Sequence, residues 1–377
     1  MPHYPQGVIQ DPYQRRLTTD ENRQGIRVIQ VWLWATPSRK IIQRLMSQVS
    51  FMITCSLRGL FLPQPDVIFI ENQPIFTGLA GWIISRIKRR PYLINVSDYW
   101  PEYLLAVGVL QEQSRLYNIF KTLVNRTQRD ASAIVALLPG LMDSIQARIG
   151  AIENGHVIMN AVDLERFRPD IDTLQFRKKY GLEGKKLLTF VGTLGNHIDL
   201  DTMLDVAAYF EDRDDVLTVF IGTGIHREIL HERGQDLHQT RWIGWIDHSE
   251  MPSAWAASYL TFWAVHENEL NKISFQSKLY EAMASGVPPI VSVEGIISDL
   301  LDQHQLGITV SFGDKAALIN AIEHVLNNPS VRDQMSRNAR AYAIANFSPE
   351  QVADQYEAVL TDLAQSIARN TRGSTTQ

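Results

Sequence analysis

The sequence predicts an α/β protein built on two parallel sheets, and three observations carry that expectation. Short apolar runs recur at even spacing, and most are continuous rather than alternating, as in strands buried on both faces. Helical apolar patterns lie between the runs, and strands alternating with helices imply parallel pairing. A polar, charged stretch at 164–186, LERFRPDIDTLQFRKKYGLEGKK, separates the runs into two arrays, and 377 residues suit two domains.

In the first array the expected strands are 26–33, 67–70, 92–96, 133–137 and 157–159. In the second they are 187–192, 216–222, 259–265, 289–293 and 307–310, with a short apolar stretch ending at Ile243-Gly244. A helix over 200–210 follows the loop Thr193-Leu194-Gly195-Asn196-His197. Asp314 caps a helix whose apolar residues Leu318, Ile322, Val325 and Leu326 keep the helical period. Ser348-Pro349-Glu350-Gln351 is a capping box with proline at the first helical position, followed by Val352, Tyr356, Val359 and Leu360 on one face. The tail 370–377, NTRGSTTQ, is expected to be disordered.

Composition narrows the function. Thirty-six Lys+Arg against 41 Asp+Glu leave a net charge of -5, so a chain-wide basic footprint for nucleic acid is not expected. One cysteine, Cys55, excludes a disulfide framework and a thiolate metal cluster. No apolar run reaches the ~20 residues of a membrane span. The segment 39–62, RKIIQRLMSQVSFMITCSLRGLFL, mixes Arg39, Lys40, Arg44 and Arg58 with Ile, Leu, Met, Phe and Val. It reads either as an interfacial helix meeting anionic lipid or as an ordinary helix packed on the first sheet. A cytoplasmic protein is expected, with that segment as a candidate contact to the inner face of the plasma membrane.

The chemistry concentrates in the second array. Gly192-Thr193-Leu194-Gly195-Asn196 and Gly222-Thr223-Gly224 each follow an apolar run, and Ile243-Gly244-Trp245 repeats the arrangement. Glycine turns at strand-to-helix junctions bring backbone N–H groups close to phosphate, at the sheet edge where open α/β folds bind ligands. Glycine is also common in any such turn. The run 274–290, SFQSKLYEAMASGVPPI, reads as a helix with Ser277 at its start and Lys278 and Glu281 on one side. Ser277 and Lys278 suit a diphosphate and Glu281 a ribose diol; an exposed i,i+3 ion pair is the competing reading.

These residues carry a resemblance. SKLYEAMASGVPPIV resembles the donor-site signature of glycosyltransferase family 4, retaining enzymes of the GT-B fold. ALLPGLMDSI (136–145), VIMNAVDLERFRP (157–169), FVGTLGNHIDLDTMLDVA (190–207) and YAIANFSPEQVADQYEAVL (342–360) agree in order and spacing. ENQPIFTGLAGWIISRIKRRPYLINVSDYWPEYLLAVGVL (71–110) resembles the subgroup that adds amino sugars such as fucosamine during bacterial surface-polysaccharide assembly.

The resemblance implies two Rossmann-like domains facing a cleft: 1–165 on the acceptor side, 166–348 binding the nucleotide sugar, and a helix 349–366 crossing back to the first. It places Gly192, Thr193 and Asn196 beside the donor diphosphate, with His197 next to them. Gly222 and Gly224 would support the pocket, Ile243 and Gly244 face the base, Ser277 and Lys278 hold phosphate, and Glu281 the ribose. A fixed cation at Lys278 would also lower the barrier to departure of a nucleoside diphosphate. Asp98 resembles the acid of the family's His-Asp pair, with Ser97 at the histidine position, and Glu102 is a second candidate near the reacting carbons. The competing reading makes Asp98 an N-cap and Glu102 a helix-start carboxylate. The first acid of the family's paired-glutamate motif falls on Ile273, an absence the subgroup shares.

The implied donor is a nucleoside diphosphate sugar with UDP as the first choice, the implied acceptor polyprenyl-linked or a saccharide, and neither cofactor nor metal is implied. MPHYPQG resembles the loop after the family's second strand, so a first strand, Gly-rich loop, helix and second strand are expected to be missing. A catalytically weak nucleotide-sugar-binding or assembly protein is therefore the alternative. An epimerase would need a carboxylate and histidine set for proton abstraction, which cannot be assembled from these motifs.

Overall fold

The structure, a computed structural model, describes residues 1–3, 7–38, 40–106, 108–234, 236–273 and 275–373. Arg39 of the basic-apolar segment, Ser274 and the last four residues of the tail lie outside them. The chain divides into two compact units, Met1–Ile158 with Tyr356–Gln377, and Met159–Gln355. The division falls seven residues before the expected 165/166 boundary, at the point where the last strand of the first sheet ends.

Among the described residues twelve strands form in chain order: β1 (Thr18–Arg23), β2 (Ile26–Val31), β3 (Ile68–Glu71), β4 (Tyr92–Val96), β5 (Ala133–Ala136), β6 (Gly155–Val157), β7 (Lys186–Val191), β8 (Val216–Ile221), β9 (Thr240–Gly244), β10 (Ser258–Ala264), β11 (Pro289–Ser292) and β12 (Ile308–Val310). In the first unit β3-β4-β5-β6 is a four-stranded parallel sheet. Every residue of β4 and β5 is buried, as continuous apolar runs require. Each such Leu, Ile or Val contributes about 1.5–3 kcal/mol by leaving water.

One expected strand behaves differently. The run 26–33 does not enter the parallel sheet: β2 pairs antiparallel with the polar β1 as a separate hairpin. The turn explains the departure. Gln24 and Gly25 both have positive φ, 53° and 85°, the two-residue turn whose twist suits a hairpin, and the Asn22 side chain accepts from the Gly25 N–H at 2.9 Å.

The helix Ile75–Lys88 packs on β3 and β4, and the helix Ile41–Leu60 packs against it and touches β2. Leu45, Val49 and Met52 pack on the cluster of Ile75, Phe76 and Leu79, and Gly59 lets the second helix approach so closely that an added Cβ would lie 2.5 Å from Ile84 Cδ1. The opposite flank is not covered. Ile42, Met46, Ile53, Leu57 and Phe61 form an exposed ridge, with Ile42 at 73% and Phe61 at 82% exposure. One face of the segment thus packs on its neighbours and the other is exposed.

The second unit holds a six-stranded parallel sheet in the order β12-β11-β10-β7-β8-β9. The strand order reverses between β7 and β10, which makes the crevice outside their carboxyl ends the place where open α/β sheets bind ligands. Asp199 caps the helix Leu200–Tyr209 through the Thr202 N–H at 3.1 Å, and Asp314 caps Lys315–Asn327 through Ala317 at 2.8 Å. Gly286, at φ 67°, ends the helix Lys278–Ala284 ahead of β11. The last helix is longer than the expected 349–366. Ser348 caps it, and it runs Pro349–Gly373 without an interior Pro or Gly to stop it, so 370–373 are helical rather than disordered. Tyr356 anchors it in the first unit through Asn95.

Candidate functional site

In the second unit three glycine turns are laced together by their backbones. Gly192 N–H donates to Ile221 at 2.9 Å, Leu194 N–H to Thr223 at 3.1 Å, and Gly222 N–H to Gly244 at 2.7 Å. Here glycine is a steric requirement. Gly222 adopts φ 132°, and an added Cβ would lie 2.0 Å from the Gly192 oxygen; at Gly224 it would meet the Leu194 oxygen at 2.3 Å. Gly222 and Gly224 therefore hold the Gly192 loop in place, and Gly244, at φ 77°, closes the set. The backbone N–H groups of Thr193, Asn196 and His197, all exposed residues, find no partner among the described residues. Ile243 is half-buried beside them, and the neighbouring Trp242 indole donates to the Gly222 oxygen at 3.0 Å.

Lys278 belongs to this loop set. Its half-buried side chain places Nζ 4.3 Å from the ring centre of Phe190 and 4.4 Å from that of Trp263. The same ammonium would lie 3.6 Å from a Cβ built on Gly192. No carboxylate pairs with it among the described residues, so the exposed ion pair with Glu281 does not form. Desolvation by these aromatic walls holds Lys278 well below the ordinary lysine range.

Glu281 turns to a different partner. The Trp255 indole donates to its Oε2 at 2.8 Å, which leaves Oε1 available, and burial raises the carboxyl above its usual range. Ser277 is exposed at the start of the same helix. His197 follows the Gly192 loop. Desolvation, then the charges of Lys278, His266 and His226, push its imidazole down to about 4, although part of the residue stays exposed. His266 is tied to this loop by its N–H to the His197 oxygen at 3.0 Å. His226 was not singled out by the sequence, where it stands two residues after Gly224 with nothing to mark it.

In the first unit Asp98 lies just past the end of β4, half-buried, with Oδ2 accepting from Gln73 Nε2 at 2.5 Å. Among the described residues its side chain makes no N-cap bond to the following helix. Burial raises its pKa, the negative charge of Glu71 raises it further, and the Gln73 bond opposes both. Glu71, at the end of β3, escaped sequence reasoning because a lone carboxylate at a strand end carries no spacing signal. Its two oxygens accept from Ser97 Oγ and Asn95 Nδ2, each at 2.5 Å. Glu102 is a different matter. Its carboxylate is bound to the buried Arg148 at 2.7 Å and accepts from Tyr117 at 3.3 Å. This ion pair holds Glu102 within the fold of the first unit.

A doubly wound parallel sheet with its loops gathered at the switch point, together with a second Rossmann-like sheet, defines the GT-B class of fold. The chain belongs to the glycosyltransferases. The model for "Glycosyl transferases group 1" matches residues 172–342, and that for "Glycosyl transferase 4-like domain" matches 5–161. A GDP-mannose-dependent alpha-mannosyltransferase of Mycobacterium tuberculosis is 25% identical over 342 residues, 89% of this chain and 82% of that one. A 2-deoxystreptamine N-acetyl-D-glucosaminyltransferase of Niallia circulans is 26% identical over 336 residues, 80% of this chain and 85% of its own. Among solved structures, Anabaena HepE in complex with UDP superposes with a TM-score of 0.65 at 17% identity, over 87% of this chain and 84% of that one. Sucrose-phosphate synthase of Thermosynechococcus elongatus gives 0.74 at 16%, over 94% and 87%. These two likenesses are of fold.

Proposed function

We propose that the protein is a retaining glycosyltransferase that moves an N-acetylated amino sugar from a UDP-linked donor to a lipid-linked or saccharide acceptor in cell-surface polysaccharide assembly. The observation that carries the reading is Lys278, an ammonium without a counter-ion beside the free backbone N–H groups of the Gly192 loop. In this reading Gly192, Thr193, Asn196 and His197 surround the diphosphate, with Ser277 and Lys278 opposite. Glu281 takes the ribose hydroxyls through Oε1, and the base lies at Ile243-Gly244. As the glycosidic bond to the donor breaks, negative charge grows on the departing diphosphate, and Lys278 stabilises it in a site of low dielectric. Within the first unit, Asp98 is the polar candidate for contact with the sugars.

The complex of HepE with UDP supports uridine, and the relative that transfers N-acetylglucosamine supports the amino sugar; the mannosyltransferases keep GDP as the comparison donor. Among the described residues no helix is long and apolar enough to cross a membrane. The exposed ridge of Ile41–Leu60, with Lys40 and Arg44 on the same helix end, supports contact with an anionic surface. Titration calorimetry with UDP and GDP tests the donor site. Lys278→Ala is expected to weaken UDP binding at least tenfold, about 1.4 kcal/mol, with the fold unchanged. Equal affinity of wild type and variant removes Lys278 from the donor site.

A further inference from the structure

One buried cation of the first unit plays no part in the donor reading. Arg148, in the last turn of the helix Pro139–Ile149, has a side chain only 5% exposed. It reaches the segment that leads from Asp98, just past β4, to the helix Glu102–Ala106. Its Nη1 donates to the Trp100 oxygen and to Glu102 Oε2, each at 2.7 Å, and its Nη2 donates to Gln128 Oε1 at 2.8 Å. The guanidinium also lies over the Tyr99 ring, 4.6 Å from its centre. A single side chain thus fastens Tyr99, Trp100 and Glu102, three of the four residues that follow Asp98.

Two tyrosine hydroxyls add to the grip. Tyr99 donates to the Ser144 oxygen and Tyr117 to Glu102 Oε1, each at 3.3 Å. Asp98 itself is held from the other side, where Gln73 donates to Oδ2 at 2.5 Å. The carboxylate therefore stands between two anchors, Gln73 at its own oxygen and Arg148 along the chain beyond it. Stability is a weak reason for such an arrangement. Withdrawing a guanidinium and a carboxylate from water costs about as much as their attraction returns, and an apolar pair of the same size often does as well. What a planar fork adds is direction, because its donors hold a carbonyl, a carboxylate and an amide at fixed relative positions. Nor does Arg148 act on Asp98 through its charge: burial, Glu71 and Gln73 are what shift that carboxyl.

We infer that Arg148 is a positioning residue: by fastening Tyr99, Trp100 and Glu102 it holds the Asp98 carboxylate in its half-buried place at the end of β4. This rests on the proposed role of Asp98 and names what keeps that group in position. The full chain is compared with Arg148→Lys, which keeps the charge but loses the fork, and with Arg148→Met/Glu102→Gln, which removes both charges and so leaves neither buried and unpaired. Asp98 is followed by carboxyl-carbon NMR titration, its signal identified by its loss in Asp98→Asn. Burial is the main cause that raises its pKa, and Glu71 and Tyr103 are the ionisable groups coupled to it. A loosened segment admits water, so in the double variant the carboxyl is expected to titrate lower, toward the ordinary aspartate value. The amides of Trp100 and Tyr103, which donate to Asp98 and Tyr99 at 2.9 Å, are expected to exchange roughly tenfold faster, with Leu93 and Val135 of the sheet unchanged. Arg148→Lys changes both readouts in the same sense and by less. An Asp98 titration identical in wild type and double variant would overturn the assignment. So would exchange that quickens equally at Trp100, Leu93 and Val135, because Arg148 would then serve the fold as a whole. An Asp98→Asn variant that transfers sugar as fast as wild type would instead count against the role of Asp98, and so the two readings fail separately.

Discussion

Two carboxylates end adjacent strands of the first sheet, and their residue-level chemistry differs. Glu71 is consumed by Ser97 and Asn95, and Asn95 in turn accepts from Tyr356 at 3.0 Å. Among the described residues Gln73 is the one donor to the Asp98 carboxylate, through Oδ2. Burial and then the charge of Glu71 hold Asp98 above the usual carboxylate range. Glu71→Gln deletes that neighbouring charge while keeping the shape, so ionisation of Asp98 becomes easier and its pKa moves down. If Asp98 acts as the ionised base or charge stabiliser, the acidic limb of the kcat/KM profile shifts to lower pH in Glu71→Gln. Asp98→Asn removes the limb and costs about 10²-fold or more in kcat. An acidic limb at the same pH in wild type and Glu71→Gln would show that Asp98 does not set it.

At the scale of elements the helix Ile41–Leu60 carries the membrane reading. Its inner face is committed to Ile75, Phe76 and Leu79, while Ile42, Met46, Ile53, Leu57 and Phe61 remain in water. Vesicles of phosphatidylcholine with phosphatidylglycerol are expected to retain the protein, less so as salt rises, because each cation near the surface contributes up to about 1 kcal/mol. Ile42→Gln with Ile53→Gln should lower retention at every salt concentration, whereas Lys40→Gln should mainly flatten the salt dependence. Equal retention on purely zwitterionic vesicles would contradict the reading. Elements of this kind show what the sequence makes legible. The parallel strands were visible because burial on both faces writes continuous apolar runs, as in Tyr92–Val96. The strand Thr18–Arg23 was not, because TTDENR is polar and is held by a turn and a partner strand rather than by burial. The glycine loops and Lys278 stood out through a motif. Glu71, the Trp255 bond to Glu281 and the Arg148 grip on Glu102 depend on residues 24 to 46 positions apart, a distance no local pattern spans.

For the whole molecule the two units have separate cores. That of the second runs from Val162 to Phe347, and the first is built around Ile75, Phe76, Phe120 and Val124. Every residue assigned to the nucleotide, from Gly192 to Glu281, lies within Met159–Gln355. A ligand that binds only the folded form of one unit stabilises that unit by RT ln(1 + [L]/Kd), about 2.7 kcal/mol at one hundred times Kd. For a unit of this size that corresponds to a rise of roughly 5–10 °C in its midpoint. UDP should therefore move one of two calorimetric transitions and leave the other in place. Amide exchange identifies which: added protection should be confined to the strands and loops between Lys186 and Val293, with Leu93, Ile94 and Val135 of the first sheet unchanged. If UDP raised both transitions together, or protected the first sheet as strongly as the second, its site would require residues of Met1–Ile158, and the assignment of the donor to the Gly192 loop and Lys278 alone would have to be given up.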